Sequence, residues 1–136
     1  MYVPQQQILL TGGRHGEICI FDVRERKLRS TIKAFDHVTI KALAMQPAQK
    51  GFIVGSSDGD IKVFNLDPTP QLLYTWSNEH AAKGGFSLRQ VSSGQVQGVQ
   101  QLYIDNDQRM YSCGADCSLK IRLLKSITPD LCYTTI

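Results

Sequence analysis

Three histidines, His15, His37 and His80, and the carboxylates Asp58, Asp60 and Asp116 are the side chains of this 136-residue chain with the most chemistry to offer. Imidazoles set beside carboxylates serve as general acids and bases or as metal ligands. His37 and His80, however, stand just ahead of apolar runs at matching points of a repeat, so hydrogen bonds that hold structure are expected of them. The carboxylates fall in Gly- and Ser-rich turns, where Asp side chains bond nearby backbone. No nucleophile stands at a convincing position beside them. TGGRHGE (residues 11–17) lacks the Lys-Ser/Thr ending of a phosphate loop and runs into a strand instead of a helix. Cys113 and Cys117 are spaced C-x-x-x-C without a second pair at metal-ligand spacing, so they read with Cys19 and Cys132 as free thiols. Neither catalysis, nor a metal, nor a cofactor is expected.

Composition narrows the class further. With 42% hydrophobic residues the chain can build a core, and 20% charged residues is too few for a disordered tail. A net charge of +3 makes no case for nucleic acid. No apolar run reaches the roughly 18 residues of a membrane-spanning helix, and MYVPQQQILL lacks the basic start of a secretory signal. The reading is a cytoplasmic protein in a reducing compartment, without membrane insertion. Residues 1–50 carry eight basic and four acidic groups, with Arg24, Arg26, Lys27 and Arg29 clustered at one turn. A solvated turn is the plainer reading of that cluster.

The elements that would position these groups recur. LLTGGRHGEICIFDV (9–23), FIVGSSDGDIKVFNL (52–66) and MYSCGADCSLKIRLL (110–124) align with shifts of 43 and 58 residues. In each, an apolar run enters a tight turn and an alternating stretch leaves it, which is strand, turn, strand. In the leaving stretch Ile61 and Val63 share one face, Phe64 and Leu66 the other. Gly16 and Gly59 sit where a two-residue hairpin turn needs positive φ, and Cys117 takes that place in the third copy. Further strands are expected at 28–32, 38–45, 72–76 and 99–104, giving four short strands per unit and an all-β protein. No helix is expected.

With the repeat laid out, the chain resembles the WD40 family, whose period and Asp-containing turn match. The Trp-Asp ending of that family stands here as Phe21-Asp22 and Phe64-Asn65, and its Gly-His as Asp36-His37 and Glu79-His80. In the family a His, the turn Asp, a strand Ser or Thr and the Trp share a hydrogen-bond network. By resemblance His37, Ser56 and Asp58 form most of such a network, with Phe64 unable to donate, and His80 and Asp116 are their counterparts in the third copy. The wording of the repeats over residues 5–124 also resembles the C-terminal WD repeats of the DmX-like family, large scaffolds also called rabconnectin-3 alpha and similar to a yeast RAVE component. That resemblance implies V-ATPase assembly and acidification of intracellular compartments. It implies V1 subunits and RAVE-like complex members as partners, and a place peripheral to endosomal, lysosomal or synaptic vesicle membranes. The runner-up is a generic WD40 adaptor in a trafficking or ubiquitin ligase complex.

By this reading the repeat region 5–124 holds a partial blade at 8–33 and blades at 38–76 and 99–124. A long loop fills 77–98, and the tail 125–136 departs from the family. Propellers close with several more blades than this. An arc would leave two apolar faces wet, forfeiting about 10 kcal/mol each, so the chain reads as a portion of a longer one. Loop position alone marks Arg14, His15, Asp36, Lys83 and Arg89 as a partner surface.

Overall fold

Short alternating runs bounded by Gly, Asp and Pro leave the backbone one economical solution, the antiparallel sheet. A computed structural model describes residues 1–47, 50–80, 98–124 and 133–135, and over these it contains three four-stranded antiparallel sheets, or blades, and no α-helix. The first blade is β1 (Tyr2–Val3), β2 (Ile8–Gly12), β3 (Glu17–Asp22) and β4 (Lys27–Lys33); the second is β5 (Ile40–Met45), β6 (Gly51–Ser56), β7 (Ile61–Asn65) and β8 (Leu72–Trp76). The third is β9 (Val99–Ile104), β10 (Arg109–Gly114), β11 (Leu119–Leu123) and β12 (Tyr133–Thr135). In each blade the strands lie side by side in chain order.

The first blade is fuller than the sequence suggested. Expected to begin with three strands near residue 8, it has a fourth: Tyr2 and Val3 pair with Leu9 and Ile8. The Met1 ammonium also donates to the Leu10 carbonyl at 2.7 Å. Two residues between a Met and a Pro carry too little alternation to announce a strand. Most of the expected loop 77–98 and of the tail 125–136 lies outside the described residues.

Side-chain parity then builds the core between blades. Leu10, Ile18 and Ile20 of the first blade meet Phe52, Val54, Phe64 and Leu66 of the second. From the opposite face of the second blade, Ile53, Ile61 and Val63 join Leu102, Ile104 and Met110 of the third. β6 is buried along its whole length because it is covered on both faces. The blades do not close into a ring. A cross-strand row, Tyr2–Leu9–Phe21–Leu28, lies on the first blade's other face, and Tyr103 and Leu119 are exposed on the third blade.

The hairpin turns carry a test. Gly16 and Gly59 have φ of 87° and 91°, and Cys117 occupies the equivalent place at 62°. A Cβ on Gly16 would also come within 2.2 Å of the Phe35 carbonyl oxygen. Gly16→Ala is therefore expected to destabilise by more than about 1 kcal/mol. Cys117→Gly should do the reverse, relieving a left-handed backbone at a net gain of about 0.5 kcal/mol. Thermal unfolding of the two variants checks the opposite signs.

Candidate functional site at the joints between blades

Each blade is tied to the next by a connector running from its outer strand to the following inner strand, and over their described residues the two connectors begin alike. After β4, the Ala34 and Phe35 amides both donate to the Gly16 carbonyl, at 2.8 and 3.1 Å. After β8, the His80 amide donates to the carbonyl of Gly59, the repeat equivalent of Gly16, at 3.0 Å. A lysine on the third strand of the next blade then pins each connector from below. Lys62 donates to the Ala34 carbonyl at 2.7 Å, and Lys120 donates to that of Glu79. Glu79 thus corresponds to Ala34, and His80 to Phe35.

Equivalent sockets are filled with opposite chemistry. At the first joint Phe35 is buried with Val54 and Phe64, and Phe64 stacks on Phe52 with ring centroids 5.4 Å apart. Lys62 lies over the Phe35 ring at 4.9 Å, a cation–π contact. At the second joint the counterparts of Val54 and Phe64 are Ser112 and Arg122. Arg122 forks onto Glu79, Nε to Oε2 at 2.5 Å and a terminal nitrogen to Oε1 at 2.8 Å, and Lys120 adds a bond to Oε1 at 3.0 Å. His80 reaches the Asp116 carboxylate through Nδ1 at 2.9 Å and the Ser112 hydroxyl through Nε2 at 2.8 Å. Ser118 lies 3.3 Å from Nδ1, and its amide donates to Asp116. Glu79 is 3% exposed and His80 0%. Glu79 is paired with both cations and Asp116 is hydrogen-bonded by His80 and Ser118, as burial of charge requires.

A carboxylate only accepts, so Nδ1–H donates to Asp116; in that tautomer Nε2 accepts from the serine hydroxyl. The connectivity is that of a serine activated by an Asp-oriented imidazole. Here the hydroxyl is buried at the joint, Ser112 being 1% exposed. The arrangement clamps the third blade onto the second. Among the described residues no group of three or more His, Cys, Asp and Glu side chains is placed to hold a metal ion, and Cys19, Cys113 and Cys117 are free thiols. No helix of the described residues is long and apolar enough to cross a membrane.

The network expected around His37 does not form, and His37 does not correspond to His80. Phe35 holds that place. His37 lies two residues further on with φ of 54° and its side chain 76% exposed, 3.8 Å from Asp36. Val54 stands where Ser112 stands, so the second blade has no hydroxyl to offer a histidine. Ser56 instead accepts the amides of Asp58 and Asp60 at 3.2 Å each, an ordinary turn, and Asp58 is exposed. His15 is also exposed, its ring edge-on to that of His37 at 6.3 Å. Arg14, through its carbonyl, and Thr39 tie the same two loops together. Arg14, His15 and Asp36 therefore share one rim, whereas Lys83 and Arg89 lie outside the described residues. Sequence reasoning missed Glu79, Ser112 and Arg122. Their signal was available: Glu79 and Arg122 change together from the Ala34 and Phe64 of the previous copy.

Burial alone would lift the Glu79 carboxyl, but hydrogen bonds from Arg122 and then Lys120 outweigh it and hold the group below its ordinary value. For Asp116 burial likewise pushes upward, and the bonds from His80 and Ser118 win. A folded-state value below the unfolded one stabilises above the unfolded carboxylate range, near pH 4, and that stabilisation is lost as pH falls through the folded value. The second joint is therefore expected to loosen in acid, below about pH 4, before the apolar first joint does. Trp76, the one tryptophan, lies 5.9 Å from the Arg122 guanidinium, so its fluorescence reports the event. Exposed Asp36 and half-buried Asp105 shift the same way, and water screens Asp36.

No protein-family model matches the chain. DmX-like protein 1 of Mus musculus is 38% identical to it over 123 residues, which is 90% of this chain. The Homo sapiens protein of that name is 36% identical over 123 residues. Over this span the chain is similar to DmX-like protein 1. It spans 4% of the length of these curated relatives. In fold it is similar to the crystal structure of Chaetomium thermophilum Raptor, with a TM-score of 0.75 over 100% of this chain and 12% of that one. At 14% identity that likeness concerns the fold alone. The three sheets are WD40-type propeller blades, as the repeat led one to expect.

Proposed function

We propose that these blades are a non-catalytic scaffold segment of a DmX-like protein that promotes V-ATPase assembly, and with it acidification of intracellular compartments. One observation carries the reading: identity of 38% to DmX-like protein 1 across 90% of the chain. The joints support it, since their polar groups are consumed in holding blades together and the rim loops stay free for partners. V-ATPase V1 subunits and members of a RAVE-like complex are the partners proposed, met in the cytoplasm at the surface of endosomal, lysosomal or synaptic vesicle membranes. Arg14, His15 and Asp36 on the described rim, with Lys83 and Arg89 of the insertion, are the proposed contact residues. The test is affinity purification of the endogenous full-length protein from native extract, with luminal pH measured after its depletion. V1 subunits in the eluate and a raised luminal pH are expected. Normal luminal pH after complete depletion contradicts the reading, and a partner set without V1 subunits assigns the blades to another adaptor.

A further inference from the structure

We infer that the β3–β4 corner of the first blade is a docking site for an acidic, extended protein segment. Arg24, Arg26, Lys27 and Arg29 crowd into this corner, and Glu25 is the acid among them. Glu25 is taken by Lys27 at 2.5 Å, and Asp22 accepts the Glu25 amide at 2.9 Å. The three arginines are left over. All are exposed, and none has an ion pair or side-chain hydrogen bond among the described residues.

Backbone geometry singles out two of them. Arg26 sits at φ 55°, in the left-handed region that a residue with a side chain enters at a cost. Ile20 pairs with Ser30 and Phe21 with Leu28, which makes Arg29 the extra residue of a β-bulge, a device that re-aims a side chain. Val23 (44% exposed) and Leu28 (51%) add apolar surface beside them.

Two other described corners do not look like this. At β7–β8 the Asn65 amide nitrogen donates to Asp67 at 3.0 Å, and Asn65 accepts the Gln71 amide at 2.8 Å, so the corner satisfies itself. At β9–β10, Arg109 is held by Asp105 and Asp107. Three free guanidinium forks match carboxylates two bonds at a time, and an extended segment alternating acidic and apolar residues would meet Val23 and Leu28 as well. Three basic residues supply only about 1 kcal/mol each toward an anionic membrane, too little to retain a protein there. The inference rests on the scaffold reading in taking the partner to be a protein.

The experiment uses the whole 136-residue chain and a fluorescein-labelled peptide of alternating Glu and Leu, with a Gln/Leu peptide beside it, read by anisotropy. The Glu/Leu peptide should bind, the Gln/Leu peptide should not, and binding should weaken steeply with salt. The triple variant Arg24→Gln, Arg26→Gln, Arg29→Gln should bind at least about tenfold more weakly, a change of about 1.4 kcal/mol. Lys at the same three positions should fall between, since it keeps charge and loses the fork. A charge-matched control, Lys33→Gln, Lys41→Gln, Lys50→Gln, should stay near wild type. Unchanged binding by the triple Gln variant, or equal loss in the control, overturns the inference. So does sedimentation with phosphatidylserine liposomes without peptide binding, which would make the corner a lipid contact. If V1 subunits fail to co-purify while the peptide still binds, the V-ATPase reading falls and the corner stands.

Discussion

Replacing Glu79 with Ala is expected to cost about 3–5 kcal/mol, a large part of the stability of a domain this size. The carboxylate is 3% exposed and is the acceptor for Arg122 and Lys120 together. Removing it leaves two cations half-desolvated at the joint without the carboxylate that pairs them. The penalty is that of an orphaned charge, far above the less than 1 kcal/mol of a surface pair. In urea the midpoint should fall by about 2 M, and Trp76 fluorescence should change with it. The exposed pair Lys27–Glu25 gives the contrast: Glu25→Ala should change stability by less than about 0.5 kcal/mol.

Phe52→Ala is expected to cost about 3–5 kcal/mol at the other joint, for a different reason. Phe52 is fully buried, stacks on Phe64 at 13° between ring planes, and lies on β6, the strand covered on both faces. Its removal opens a cavity that neighbours on two blades cannot collapse to fill. Tyr103, at 63% exposure, should tolerate the same truncation within about 0.5 kcal/mol. Chemical denaturation of the two variants decides the matter, and equal losses would mean that the first joint is not a core.

Much of this architecture was legible in the residues. The alternation Ile61, Val63 against Phe64, Leu66 divided correctly between the two cores, because a strand between two blades must present apolar side chains on both faces. β8 and β9 run over 72–76 and 99–104, as Pro68, Pro70 and Gly98 delimit them. β1 escaped because two residues show no period. The joint network was misplaced for an instructive reason. Matching His37 to His80 by residue type ignored the backbone, whose register is fixed by the Gly16 and Gly59 carbonyls and places Phe35 opposite His80. An imidazole also needs a hydroxyl and a carboxylate at fixed spacing, and the second blade offers Val54 in place of Ser112. Glu79 and Arg122 were invisible singly, since an acid in a turn and a base on a strand read as surface until the fold buries them together.

The two joints therefore pose one geometric problem solved twice, once with Ala34, Phe35, Val54 and Phe64, once with Glu79, His80, Ser112 and Arg122. For a scaffold the consequence is directional: acid should loosen the third blade before it loosens the first two. The most direct test transplants one solution onto the other. The fourfold variant Glu79→Ala, His80→Phe, Ser112→Val, Arg122→Phe keeps Lys120 for the connector carbonyl, as Lys62 serves Ala34. Its unfolding free energy should equal that of the natural chain or exceed it by about 1–4 kcal/mol, with its dependence on acid reduced. A loss approaching the sum of the single substitutions would contradict the equivalence of the joints, and with it the account of how these blades are held in line.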